Sequence, residues 1–288
     1  MSKIKKPRIL FYDIETTLIL LWTFSLGKTV LRFNQLLSGY FSRTHVICIT
    51  YKWSDEKEVK ILTWGDSIED EKKMLQDFDR LVEQADVIIG KNSNRFDNKH
   101  MNTVRMWHDL PGTPDWTTKA DDLEVQMRRN FYLPSYALDY LSAQLGFGGK
   151  DKMEFSDWTK INNYRMIQIA KIKTKDAKSL FEMLTGIDVD VATRDGKKAL
   201  KKMYVYGKKD TADTQKIWDR CAKQFKPKFN MATHHKDHRC THCGSTNIRK
   251  NGTRAAGTVI KQHFFCNSHN GYAGKASIKK DGTFGKIS

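Results

Sequence analysis

The sequence predicts an α/β fold, a mixed sheet flanked by helices, with a small β-hairpin module at its C-terminal end. Three observations predict it: an apolar strand near the N-terminus, a hairpin followed by a strand-helix-strand succession, and paired cysteine knuckles in a basic final segment. The first strand, Ile9 to Thr17, is rich in β-branched and aromatic residues and carries Asp13 and Glu15 one residue apart. Residues i and i+2 of a strand share a face, so the two carboxylates project side by side while Ile14 points into the core. Neighbouring carboxylates repel and lose hydration when buried, which makes a divalent cation between them the first hypothesis.

The later elements follow in order. Leu18 to Arg43 mixes apolar and basic residues and reads as a loop or hairpin excursion. Val46 to Trp53 and Glu58 to Trp64 read as strands around a turn at Ser54 to Lys57, giving a three-stranded antiparallel start. Ile68 to Gln84 has helical spacing in Met74, Leu75, Phe78, Leu81 and Val82, and Ala85 to Gly90 is a buried strand ending at glycine. The polar loop Lys91 to Asp97 then lies at the C-terminal end of a buried strand, where open α/β sheets bind ligands. Asp97 opens a helix through Met101, Val104 and Trp107. Beyond it come a short strand over Trp116 to Ala120, a helix over Asp122 to Arg129, and a helix from Pro134 with Leu138, Leu141 and Leu145 on one face. Ile161 to Leu184 has a blurred helical pattern. A long helix from Lys197 to Cys221 places Tyr206 and Asp210 at i and i+4, one above the other.

Composition limits the function classes. The 288 residues are 39% hydrophobic and 11% aromatic, which suits a packed core with a small added module. No apolar run approaches the ~18 residues of a membrane span. A cytosolic protein is expected, its five cysteines kept as thiols or metal ligands. Net charge is +17 with pI near 9.6, which calls for a polyanionic partner. From Ala222 onward 13 Lys and Arg face 2 Asp and Glu, so the basic surplus is concentrated there. The break near Cys221 predicts a large α/β unit over 1–222, a basic linker over 223–237, a module over 238–275 and a basic tail over 276–288.

In that module, Cys240-x2-Cys243 and Cys266-x2-His269 are separated by a 22-residue spacer. Strands at Asn247 to Lys250 and Val259 to Phe265 flank a Gly-containing turn between the two pairs. Knuckles around a hairpin resemble a zinc ribbon, closed and structural, with Cys3His ligation of one Zn²⁺; His263 is the alternative fourth ligand. Cys48 and Cys221 read as buried core thiols.

With three acidic sites and the tyrosine in place, the chain resembles the DEDD superfamily of 3′ to 5′ exonucleases, the DnaQ-like group of the RNase H fold. Asp13 and Glu15 in FYDIETT resemble its first motif, Asn92, Phe96 and Asp97 in NSNRFD its second, and Tyr206 with Asp210 in YGKKD the tyrosine form of its third. The histidine form would need His five residues before the aspartate, where Val205 stands. ALDYLSAQLG, from Ala137 to Gly146, is similar to the leucine-bearing helix between the second and third motifs. In particular it resembles phage-type standalone exonucleases with a C-terminal zinc ribbon, which implies action in a host cytoplasm. Where members often carry glycine after the second threonine, this chain has Leu18.

The resemblance implies hydrolysis of nucleic acid, single-stranded DNA ahead of RNA, with two Mg²⁺ or Mn²⁺ ions. Asp13 would bridge both ions, Glu15 and Asp210 would hold the one carrying the attacking water, and Asp97 the second. Tyr206 would orient that water, and Asn92, Phe96 and Leu18 would face the substrate. A tyrosine with its usual pKa near 10 is a poor base at neutral pH, so activation of the water falls to the metal. A noncatalytic nucleic-acid-binding protein and a structure-selective endonuclease are the alternative functions.

Overall fold

Strand β1, Ile9–Thr16, is the centre of a five-stranded sheet. We describe the protein from a computed structural model covering residues 7–19, 43–65, 67–111, 119–148, 153–225, 237–268, 270–279, 281–285 and 287. Strands β2 (Val46–Trp53) and β3 (Lys60–Thr63) continue the sheet on one side of β1, each antiparallel to its neighbour. On the other side β4 (Val87–Gly90) and β5 (Ala120–Asp122) run parallel to β1 and to each other. The order β3-β2-β1-β4-β5 with antiparallel β2 is an RNase H-like mixed sheet. Parallel neighbours require crossovers, supplied here by helices α1 (Glu69–Gln84) and α2 (Asp97–Trp107).

The two-residue period of β1 assigns its side chains to two cores. Leu10, Tyr12 and Ile14 pack with Met74, Leu75, Phe78 and Val82 of α1 and with Met101 and Val104 of α2. Phe11 faces the other way, into a second core. That core takes Leu123 and Met127 from α3 (Leu123–Asn130), Leu138 and Leu141 from α4 (Leu138–Gln144), and Ile217, Trp218 and Cys221 from α7 (Val189–Cys221). Asp13 and Glu15 continue the Phe11 face and so point toward the α7 side of the sheet.

Buried Glu71 ties the first core together. One carboxylate oxygen accepts from Val46 N at 2.6 Å; the other meets His45 Nδ1 and His108 Nε2, each at 2.9 Å. Because an ionised carboxylate only accepts, both imidazole nitrogens must carry the proton. Burial opposes ionisation of Glu71, but the bonds from His108, His45 and Val46 outweigh it and hold its carboxyl below the ordinary range.

Helix boundaries depart from the sequence pattern at three places. The helix expected from Pro134 begins only at Leu138, because the backbone is still extended at Ala137, with φ −63° and ψ 143°. The helix expected from Lys197 begins at Val189, 33 residues long, because the Asp188 carboxylate caps Asp190 N and Val191 N at 2.9 Å. The blurred stretch from Ile161 resolves into α5 (Phe155–Ile169) and α6 (Lys175–Thr185), the latter stopped by Gly186 at φ 69°. Gly196 lets α5 and α7 cross closely, since a Cβ there would stand 2.3 Å from that of Tyr164. The excursion over 20–42 and most of the strand expected over Trp116 to Ala120 lie outside the described residues.

The C-terminal module is a separate three-stranded antiparallel sheet, β6 (Ile248–Ala256), β7 (Val259–Cys266) and β8 (Gly271–Ser277). The hairpin was legible, although β6 runs on through a register shift between Lys250 and Thr253 to a turn at 257–258. The third strand was not anticipated. Its Ala273 and Ala276, together with Ile287, share a core with Cys240, Phe264 and Cys266.

Candidate active site and metal centres

Position 207 decides how α7 meets β1. Thr50 on β2 pairs with Asp13 on β1, and its hydroxyl contacts Gly207 O at 3.0 Å and Thr211 Oγ1 at 2.7 Å. A Cβ at residue 207 would lie only 3.2 Å from the Thr50 methyl, so glycine allows the helix backbone to sit on the strand. Tyr206 and Asp210, which flank that contact, are thereby brought to the strand face that carries Asp13 and Glu15. Trp158 of α5 meets the Tyr206 ring edge-on, centroids 6.1 Å apart.

The result is an open cleft of ≈ 320 Å³ lined by Asp13, Glu15, Tyr206 and Asp210, together with Phe96, Lys91 and Asp139. Phe96 is 40% exposed, so its ring offers a face to a ligand. Asp97 is placed differently. It is 2% exposed and not part of the cleft lining; its Oδ1 accepts from Ile14 N, the amide between Asp13 and Glu15, at 3.1 Å. Burial, reinforced by the charge of Asp122 and offset in part by backbone hydrogen bonds, pushes its carboxyl up to about 7. Asn92 and Leu18 also lie outside the lining. Asn92 adopts φ 59°, a left-handed conformation that asparagine tolerates, and Leu18 N donates to Asn162 Oδ1 at 3.2 Å.

The loop that joins β4 to α2 is held from below. Asp122, 1% exposed at the end of β5, accepts from Asn92 N and Asn94 N at 3.0 Å and from Glu124 N at 2.8 Å. Lys91 reaches the cleft from the same loop, its ammonium 2.7 Å from Glu124, which in turn pairs with Arg128. Sequence reasoning missed Lys91, Asp122 and Asp139. A signal existed for Asp122, an N-cap aspartate before a helical run, and for Lys91, directly after a strand's terminal glycine.

No family model matches this sequence, and no curated protein matches it. Among solved structures the fold is similar to the family B DNA polymerase from the hyperthermophilic archaeon Pyrobaculum calidifontis, with 15% identity and TM-score 0.38. That similarity covers 76% of this chain and 28% of the polymerase, so the chain spans under a third of the length of the protein it matches. Among the described residues no helix is long and apolar enough to cross a membrane.

Two donor sets are chemically distinct. The Sγ atoms of Cys240, Cys243 and Cys266 lie within 4.8 Å of one another, with Cys243 and Cys266 3.6 Å apart. Tetrahedral thiolates ~2.3 Å from zinc would stand roughly 3.8 Å apart, so the three sulfurs fit a structural zinc site. His269 lies outside the described residues. His263 pairs with Lys275 on the opposite face of β7 from Cys266, which turns it away from the sulfurs. The carboxylates around the cleft are spread more widely: among the described residues the cysteine trio is the one group of three ligand atoms this close together. Oxygen donors such as these suit Mg²⁺ or Mn²⁺ rather than zinc.

Proposed function

We propose that the protein is a metal-dependent 3′ to 5′ exonuclease acting on single-stranded nucleic acid, DNA ahead of RNA. The observation that carries this reading is the meeting of Asp13, Glu15, Tyr206 and Asp210 around one cleft from elements separated by almost two hundred positions. Asp13, Glu15 and Asp210 would hold the ions, with Asp97, whose Oδ1 accepts from the Ile14 amide, holding the second through a water. When bound, such ions activate the attacking water and neutralise charge on the phosphoryl and leaving oxygens. The protein's own groups do the rest. Tyr206, braced by Trp158, positions a water through its hydroxyl; Phe96 offers a ring to the terminal base; Lys91 places positive charge beside the phosphate. A zinc-stabilised module on the same chain would add affinity for the strand.

The burial of Asp97 outside the cleft lining favours a second reading, a nucleic-acid-binding protein without catalysis. Digestion of 5′-labelled single-stranded DNA and RNA with Mg²⁺ or Mn²⁺ separates the two. Stepwise shortening from the 3′ end is expected, abolished by a blocked 3′ terminus and reduced ~10²-fold or more by Asp13→Ala or Asp210→Ala, with strand binding retained. Internal cuts on the blocked strand would mean an endonuclease. No cleavage with either metal would leave the noncatalytic reading.

A further inference from the structure

The strand register of the C-terminal sheet sorts its residues onto two faces. Phe264 and Cys266 of β7 face the module's core, and their neighbours Lys261, His263 and Phe265 face away from it. Across the ladders Arg249 pairs with Phe265, Arg254 with Lys261, Lys275 with His263, and Tyr272 with Phe265. The outward face therefore carries Arg249, Arg254, Lys261 and Lys275 around Phe265, Tyr272 and His263. No position on that face of the three strands is acidic. Side-chain geometry agrees: the Arg249 guanidinium lies 4.5 Å from the Phe265 ring centroid, and the His263 and Tyr272 rings are 5.7 Å apart. Tyr272 is 45% exposed.

We infer that this outward face is a stacking platform for single-stranded nucleic acid, on which bases lie against Tyr272 and Phe265 while the surrounding cations follow the phosphates. Cations alone would fit any polyanion, but flat rings set among them select a partner whose π-faces are accessible. A duplex hides those faces. An anionic membrane would call for a broad apolar face, whereas the exposed aliphatics of this sheet, Val259 and Ile260, sit at the hairpin end and the rings lie among charged neighbours. The inference deepens the role given to the module in the proposed function and commits to its contact residues.

The test measures binding, not cleavage, so it stands or falls apart from the nuclease reading. The full-length chain with Asp13→Ala is titrated, by fluorescence anisotropy, against a labelled 20-nucleotide oligothymidylate, an abasic strand of equal length, oligouridylate and a blunt duplex. Tyr272→Ala should weaken oligothymidylate binding about 5-fold or more, leave the abasic strand unchanged and keep the salt slope, with Tyr272→Phe restoring affinity. Arg254→Ala with Lys261→Ala should lower the slope of log Kd against log salt by about 1.4, roughly 0.7 for each phosphate no longer neutralised. The oligouridylate arm assigns DNA or RNA preference within the same chemistry. Equal losses on the thymidylate and abasic strands in Tyr272→Ala, an unchanged slope in the double variant, or tighter binding to the duplex would overturn the inference. So would binding to anionic vesicles that Tyr272→Ala weakens in place of strand binding. Persistent cleavage by the Asp13→Ala chain would count against the nuclease reading alone.

Discussion

Replacing Asp122 by alanine removes one carboxylate that serves two elements at once. Its oxygens cap α3 through Glu124 N and hold the β4–α2 loop through Asn92 N and Asn94 N. Loss of an aspartate N-cap costs about 1 kcal/mol, and each hydrogen bond to a charged acceptor contributes about 1.5 to 3 kcal/mol. Water admitted to the partly buried loop amides would recover some of this, so the expected loss is about 2 to 4 kcal/mol. Asp122→Asn keeps one accepting oxygen and should lose about half as much. The loop leads directly into Asp97, whose Oδ1 meets the Ile14 amide, so under the proposed function turnover should fall about tenfold or more even below the unfolding transition. Urea denaturation gives the stability, and single-turnover cleavage at 10 °C gives the rate. A loss below about 1 kcal/mol, or a destabilised enzyme with unchanged turnover, would refute the idea that Asp122 positions the loop.

Further outcomes are expected. Tyr206→Phe should slow cleavage about tenfold, less than Asp13→Ala, because the hydroxyl only positions a water; equal losses would assign the tyrosine another role. Glu71→Gln should destabilise by about 2 to 4 kcal/mol at pH 7, since it replaces an acceptor of three buried hydrogen bonds. Because the folded-state pKa of Glu71 is depressed, its stabilisation is present above the ordinary carboxylate pKa and is lost as pH falls through the folded value. The stability gap between wild type and variant should therefore close below about pH 4; a gap constant from pH 7 to pH 3 would contradict the assignment. Cys266→Ser should abolish stoichiometric zinc and amide protection in β6 to β8 while that of β1 to β5 persists. Full zinc content in this variant would place the metal elsewhere.

Local periodicity made much of this protein legible from its residues alone. The two-residue repeat of a strand put Asp13 and Glu15 on one face opposite Ile14, and the helical repeat put Tyr206 above Asp210. Both patterns depend only on backbone geometry, as does the spacing of Cys240, Cys243 and Cys266, so they survive without knowledge of the rest of the chain. Which faces meet is a long-range matter that no local pattern records. The register pairing Thr50 with Asp13, and the missing Cβ at Gly207 that lets α7 rest on Thr50, closed the cleft. Tertiary contact also turned Asp97 toward the Ile14 amide and made Asp122 the anchor of its loop. Strand β8 escaped notice because Gly271 to Ser277 has little β-propensity of its own; its small residues are chosen to fit beneath Phe264 in a core that exists only once the sheet is assembled. Sequence thus set the chemistry each element carries, and packing between elements distant in the chain decided which of those chemistries share a site.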